Sequence, residues 1–209
     1  MAKQRVLRFV LAASALLSSG AFAQTETALS FTGGSTYAWP GASIGWEFSI
    51  TQPITVTALG YYDQGSDGFG EDHLVGIFPA GNNSVLVSTT VTSGDSLQDG
   101  FRYASISPFE LQPGNYVVVG RSPTSADLGI SFATQQTAPQ IDYVQEWYLY
   151  SGSFELPTDS WDADGGNFGP NFQFSVAEYR PVPTISRLAS AALVLVLLGI
   201  GFLGLRRLS

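Results

Sequence analysis

The chain of 209 residues contains no cysteine. Disulfides, zinc–thiolate centres, iron–sulfur clusters and thiolate nucleophiles are therefore excluded, and stability must come from an apolar core. Basic residues are few and unevenly placed. Lys3, Arg5 and Arg8 stand near the start, and Arg187, Arg206 and Arg207 near the end. Between Gln24 and Arg180 there is no lysine. Only Arg102, Arg121 and Arg180 oppose all 17 acidic residues there, a formal charge of −14. Such a body repels nucleic-acid phosphates and anionic headgroups, so nucleic acid is not an expected partner. His73 is the single histidine. A serine hydrolase would need it as general base, and no G-x-S-x-G elbow accompanies it. Sustained 3.6-residue apolar periodicity is also missing between residues 24 and 180, which argues against helices in the body.

The two ends carry different signals. Residues 1–23 combine a basic start, a short apolar run ("FVLAASALLSSGAFA") and Ala21-Phe22-Ala23. This pattern predicts a secretory signal peptide cut before Gln24 by signal peptidase. Near the other end, "LASAALVLVLLGIGFLGL" (188–205) is uncharged. At about 1.5 Å rise per residue a helix here spans roughly 27 Å, close to the hydrocarbon thickness of a bilayer. One C-terminal transmembrane helix is expected, with Arg206 and Arg207 on the cytoplasmic side and the acidic body outside.

The body, residues 24–180, reads as short alternating runs bounded by turn residues. "GWEFSI" sets Trp46, Phe48 and Ile50 on one face and Glu47 and Ser49 on the other. "ITVTALGYY" begins with Ile54 and Val56 inward and changes register near Ala58-Leu59. "HLVGIF", "SVLVSTTV", "FRYASISPF", "NYVVVG", "EWYLY" and "NFQFSVAEY" complete the set. "PAGNNS" (79–84) falls at hairpin distance. "QPGN" offers Pro113 and Gly114 to a type II turn. The stretch 122–142 is the least regular and is expected to hold a long loop. Together these predict an all-β fold, a β-sandwich of jelly-roll type.

Two constellations could carry binding. "YDQGSDGFGEDH" (62–73) presents Asp63, Asp67, Glu71 and Asp72 as hard oxygen donors among glycines, a calcium candidate that does not follow the EF-hand pattern. "DSWDADGGNFG" (159–169) offers Asp162, Asp164 and Asn167 similarly. No other cofactor is expected. Aromatics form the second group. Trp147, Tyr148 and Tyr150 in "QEWYLYSG", with Trp161, are candidates for stacking on sugar rings. Alternation should send Trp147 and Leu149 to one face of their strand and Tyr148 and Tyr150 to the other, one pair facing a core and the other a platform or a second packed layer. No catalytic residue is expected.

Two resemblances add to this. Val182-Pro183-Thr184-Ile185, followed by the apolar run and the arginine pair, resembles the IPTL-CTERM sorting signal, a sister type of PEP-CTERM in Gram-negative bacteria. The resemblance implies export across the inner membrane, anchoring with the body outside, and recognition by an exosortase-like enzyme that releases the body to the cell surface or matrix. A plain anchor left uncut is the alternative. "GWEFSITQPITVTALGYYD", "HLVGIF" and "GDSLQDGFRYASISPFELQPGNYVVVG" are similar in layout to DUF4082-type sandwich domains, which implies the fold and an extracellular setting without an active site. The expected function is that of a non-catalytic envelope or extracellular-matrix protein, structural or adhesive, associated with exopolysaccharide. A carbohydrate-binding module is the alternative, and an extracellular hydrolase the third reading.

Overall fold

The computed structural model describes residues 25–160 and 166–176. The signal-peptide segment, Trp161, Asp162, Asp164, the sorting motif Val182-Pro183-Thr184-Ile185, the 188–205 run and Arg206-Arg207 lie outside the described residues. No helix occurs among the described ones.

Fourteen strands follow in chain order. They are β1 (Glu26–Thr27), β2 (Leu29–Thr32), β3 (Ser35–Tyr37), β4 (Ala42–Ile50), β5 (Ile54–Tyr62), β6 (His73–Pro79), β7 (Val87–Val91), β8 (Ser96–Gln98), β9 (Phe101–Leu111), β10 (Gly114–Ser122), β11 (Gly129–Thr137), β12 (Asp142–Tyr150), β13 (Gly166–Phe168) and β14 (Pro170–Ser175). One sheet has the order β1-β14-β5-β9-β8, a second β12-β4-β10-β6-β7, and a smaller third β13-β11-β2, with β3 also on β11. The pairings are antiparallel. The architecture is that of an all-β sandwich.

The alternation in "GWEFSI" explains how the two large sheets meet. Trp46 and Phe48 project from β4 onto β14, where Phe172 lies 5.8 Å from the Trp46 ring and 4.9 Å from Phe48. Ile44, Ile54, Val56, Leu59, Val75, Ile77 and Val118 fill the space around them and are fully buried. The Trp46 indole would be an unpaired donor in this core, but it donates to the Pro170 carbonyl at 2.9 Å. The register change expected in β5 falls at Thr57, where both neighbouring strands slip between Val56 and Ala58. A bulge there turns the strand so that Leu59 and Tyr61 continue the buried row.

The central strands of the second sheet are largely buried on both faces. On its outer side Phe78, Val117 and Val119 pack with Trp147, Phe154 and Leu156. Phe154 and Leu156 belong to the segment 151–160, which folds back from β12 and crosses the sheet. It is tied by Ser43 Oγ to the Ser153 carbonyl (2.8 Å), by Leu156 N–H to Asn83 Oδ1 (2.7 Å), and by paired backbone bonds between Tyr148 and Asp159.

Two sequence expectations need correction. The stretch 122–142 is not one long loop, because nine of its residues form β11. Its polar side chains hide the strand, and pairing with β13, β2 and β3 supplies what alternation does not. Gly114, where a type II turn needs positive φ, does not adopt it and opens β10 instead.

Candidate functional site

The site begins with the alternation of β12. Tyr148 and Tyr150 point to one side of the strand, and Trp147 and Leu149 to the other. Tyr148 and Tyr150 meet edge to face, with centroids 6.0 Å apart. They form one wall of a hollow of about 170 Å³. Tyr37, at the end of β3, and Trp39, just after it, form the opposite wall with ring centroids 5.9 Å apart. Phe132 of β11 closes a third side, and Ser131, Asn167 and Ile44 complete the lining. Tyr37, Phe132 and Tyr150 are each more than half exposed, at 57%, 57% and 55%. Trp39 is buried and forms part of the foundation.

Phe132 is held at φ 56°, in the left-handed region. A bulky side chain there costs about 1–2 kcal/mol. The cause is a bulge: β11 pairs with β13 at Ile130 and again at Ala133, and the two residues between are displaced. Burial does not compensate this strain, since the ring is largely in solvent. Backbone strain at an exposed aromatic beside an aromatic hollow makes Phe132 a candidate functional residue.

Polar groups are few and grouped. The hydroxyl of Tyr150 is held neutral to higher pH than usual, first by partial burial and then by the neighbouring phenols of Tyr37 and Tyr148. The three phenols thus share one neighbourhood. Asn167 donates its amide to the buried carboxylate of Glu146, which fixes the amide's orientation in the wall. The combination of flat apolar faces with several hydroxyls and an amide suits a ligand with both C–H faces and hydroxyl edges.

The remaining sequence candidates are placed differently. Trp147 lies on the far side of β12, where its indole donates to Glu47 Oε2 at 2.9 Å. In the acidic loop, Asp63 is buried and accepts from Arg102 Nε at 2.7 Å and from the Gly68 amide. Arg102 in turn donates to the carbonyls of Ser93 and Asp95. Asp63 is therefore a structural ion-pair partner that ties β5 to β9, not a free oxygen donor. Glu71 accepts from the Thr124 amide at 2.9 Å. Asp67 and Asp72 are exposed. Among the described residues no group of three or more acidic or histidine side chains is arranged to hold a metal ion.

His73 is fully buried. It stacks on Tyr61 with centroids 3.8 Å apart and 5° between planes. Nδ1 faces the Arg121 carbonyl at 3.0 Å and Nε2 the Asp127 carboxylate at 3.0 Å. Asp127 also receives the amides of Gly70 and Glu71, so this cluster pins the acidic loop to the loop after β10. Both ring nitrogens are used by oxygens, and neither is directed at a hydroxyl nucleophile.

Tyr37, Trp39, Phe132 and Asn167 were not legible as one site. Their signals were the "YAW" pair in a glycine- and serine-rich stretch and a lone phenylalanine in a polar one. No protein-family model matches the chain, and no curated protein matches it.

Proposed function

We propose that this protein is a non-catalytic, exported β-sandwich that binds a saccharide chain in the aromatic hollow between β3, β11 and β12 and has an adhesive or structural role at the cell surface. The observation that carries this is the convergence of five aromatic rings, Tyr37, Trp39, Phe132, Tyr148 and Tyr150, on one small hollow from the end of β3, from β11 and from β12. Sugar rings stack their C–H faces on such side chains, while phenol hydroxyls and an amide bond their hydroxyl edges. The strand order supports a jelly-roll reading. The row β1-β14-β5-β9 faces β4-β10-β6-β7, and the chain crosses between these two sheets at β4–β5, β5–β6, β7–β8 and β9–β10. The full use of His73 by Arg121 and Asp127 supports a non-catalytic role. Export, anchoring through 188–205 and handling by an exosortase-like enzyme rest on the sequence signals at the two ends.

Affinity electrophoresis of the full chain through gels containing neutral polysaccharides tests the reading. Retardation on at least one glycan, lost in Tyr150→Ala and Phe132→Ala, is the expected result. Unchanged mobility on every glycan, or equal retardation of both variants, would remove the basis for it.

A further inference from the structure

A second hollow lies on the opposite face of β12, over the outer side of the second sheet. Its volume is about 420 Å³. Trp147, Leu149 and Val117 form an apolar floor, and Leu156 and Pro157 of the back-folded segment form the rim. Two carboxylates, Glu47 and Glu155, line the same space.

Glu47 is one of the buried carboxylates of the body. It is only 8% exposed, and its hydrogen bonds come from neutral donors, the Trp147 indole at 2.9 Å and the Gln145 amide at 3.4 Å. Among the described residues no cation pairs with it. Arg102 is taken by Asp63, and Arg121 donates to the carbonyls of Ala42, Ser122 and Gly152. Glu155 has neither an ion pair nor a side-chain hydrogen bond among the described residues. A largely buried carboxylate without a counter-charge is costly. The arrangement becomes favourable when a cation enters. A positive group in the hollow would gain charge-assisted bonds to the carboxylates that line it, and an attached aliphatic stem would cover Val117, Leu149 and Leu156.

We infer that this hollow is a binding site for an alkylammonium group, separate from the saccharide site. The net charge of −14 in the body would draw such a ligand in.

The probe is 1,5-diaminopentane, titrated into the full chain while the tryptophan indole N–H resonances are followed by NMR. The Trp147 signal is identified by its loss in Trp147→Phe. We expect it to move saturably with the diamine and to stay still with 1,5-pentanediol, which has the same length and no charge. Glu155→Gln and Glu47→Gln should each weaken binding roughly tenfold. Asp67→Asn, which removes one charge from the exposed loop after β5, should bind as the parent does. Parallel titrations with glucosamine oligomers and with an Nα-acetyl-lysine amide distinguish a sugar-borne from a side-chain ammonium, and saturable movement with either supports the site. Absence of a saturable shift with the diamine, an equal shift with the diol, or an equal loss in Asp67→Asn and Glu155→Gln would overturn the inference. Glu155 is partly exposed, so its variant carries the test even if Glu47→Gln fails to fold.

Discussion

The indole of Trp39 occupies the space that a side chain at residue 129 would need: a Cβ on Gly129 would lie 2.1 Å from its Cζ3. Trp39 is the foundation of the aromatic hollow, so Gly129→Ala should push it out of place. Overpacking of this kind costs about 1–3 kcal/mol. Urea unfolding should show the loss, and saccharide binding should fall with it. A variant with unchanged midpoint and unchanged binding would mean that Trp39 does not depend on this glycine.

Phe132 offers a separation of stability from binding. Glycine accepts positive φ without steric cost, whereas alanine does not. Phe132→Gly should therefore be about 1 kcal/mol more stable than Phe132→Ala, although both lose the ring and should bind saccharide equally poorly. Thermal melts of the two variants read the difference. An alanine variant as stable as the glycine one would show that residue 132 is not held in the left-handed region.

Removing Asp63 should damage the fold. Its carboxylate is buried against Arg102, and breaking such a pair by deleting one partner costs about 3–5 kcal/mol. Asp63→Ala should lower the denaturation midpoint strongly, and the Asp63→Ala/Arg102→Met double variant should lose less than the two single losses added. Strict additivity in that cycle would dissolve the pair as a stabilising unit.

Alkaline pH should unfold the protein. Tyr61, Tyr103 and Tyr143 all have their hydroxyls held neutral well above the usual value of 10.0, in each case chiefly by burial. In the unfolded chain they ionise near 10 and favour unfolding once the pH exceeds that value. Their contribution is thus complete below about pH 10 and declines above it, toward the folded values. Phenolate absorbance should rise in two stages. Phenols open to water ionise first, and the buried ones only together with loss of near-ultraviolet dichroism. One smooth transition with dichroism retained would contradict this.

Much of the fold was legible because strand alternation is local. Trp46, Phe48 and Ile50 are spaced by two, and the pleat alone puts them on one face. The β5 register change was visible as a break in the same pattern. β11 was not legible, since its residues are mostly small or polar and its partners are short strands far away in sequence. The calcium candidates looked alike as a string of acids, but Asp63 is distinguished by Arg102, 39 residues away.

What the sequence by itself determined is the set of properties that depend on composition or near neighbours: no thiol chemistry, an acidic body, the β class, and opposite faces for Trp147 and Tyr148. Only the tertiary structure decided that each of those faces lines a hollow and what joined it there. Tyr37, Trp39, Phe132 and Tyr150 come together through pairing of β3 with β11 and of β12 with β4. The same holds for Glu47 and Glu155, brought to one cavity by a segment that folds back across the sheet. The reason is physical. Side-chain direction follows from the backbone's local geometry, whereas proximity across the sandwich follows from which distant strands exchange hydrogen bonds and bury a common core.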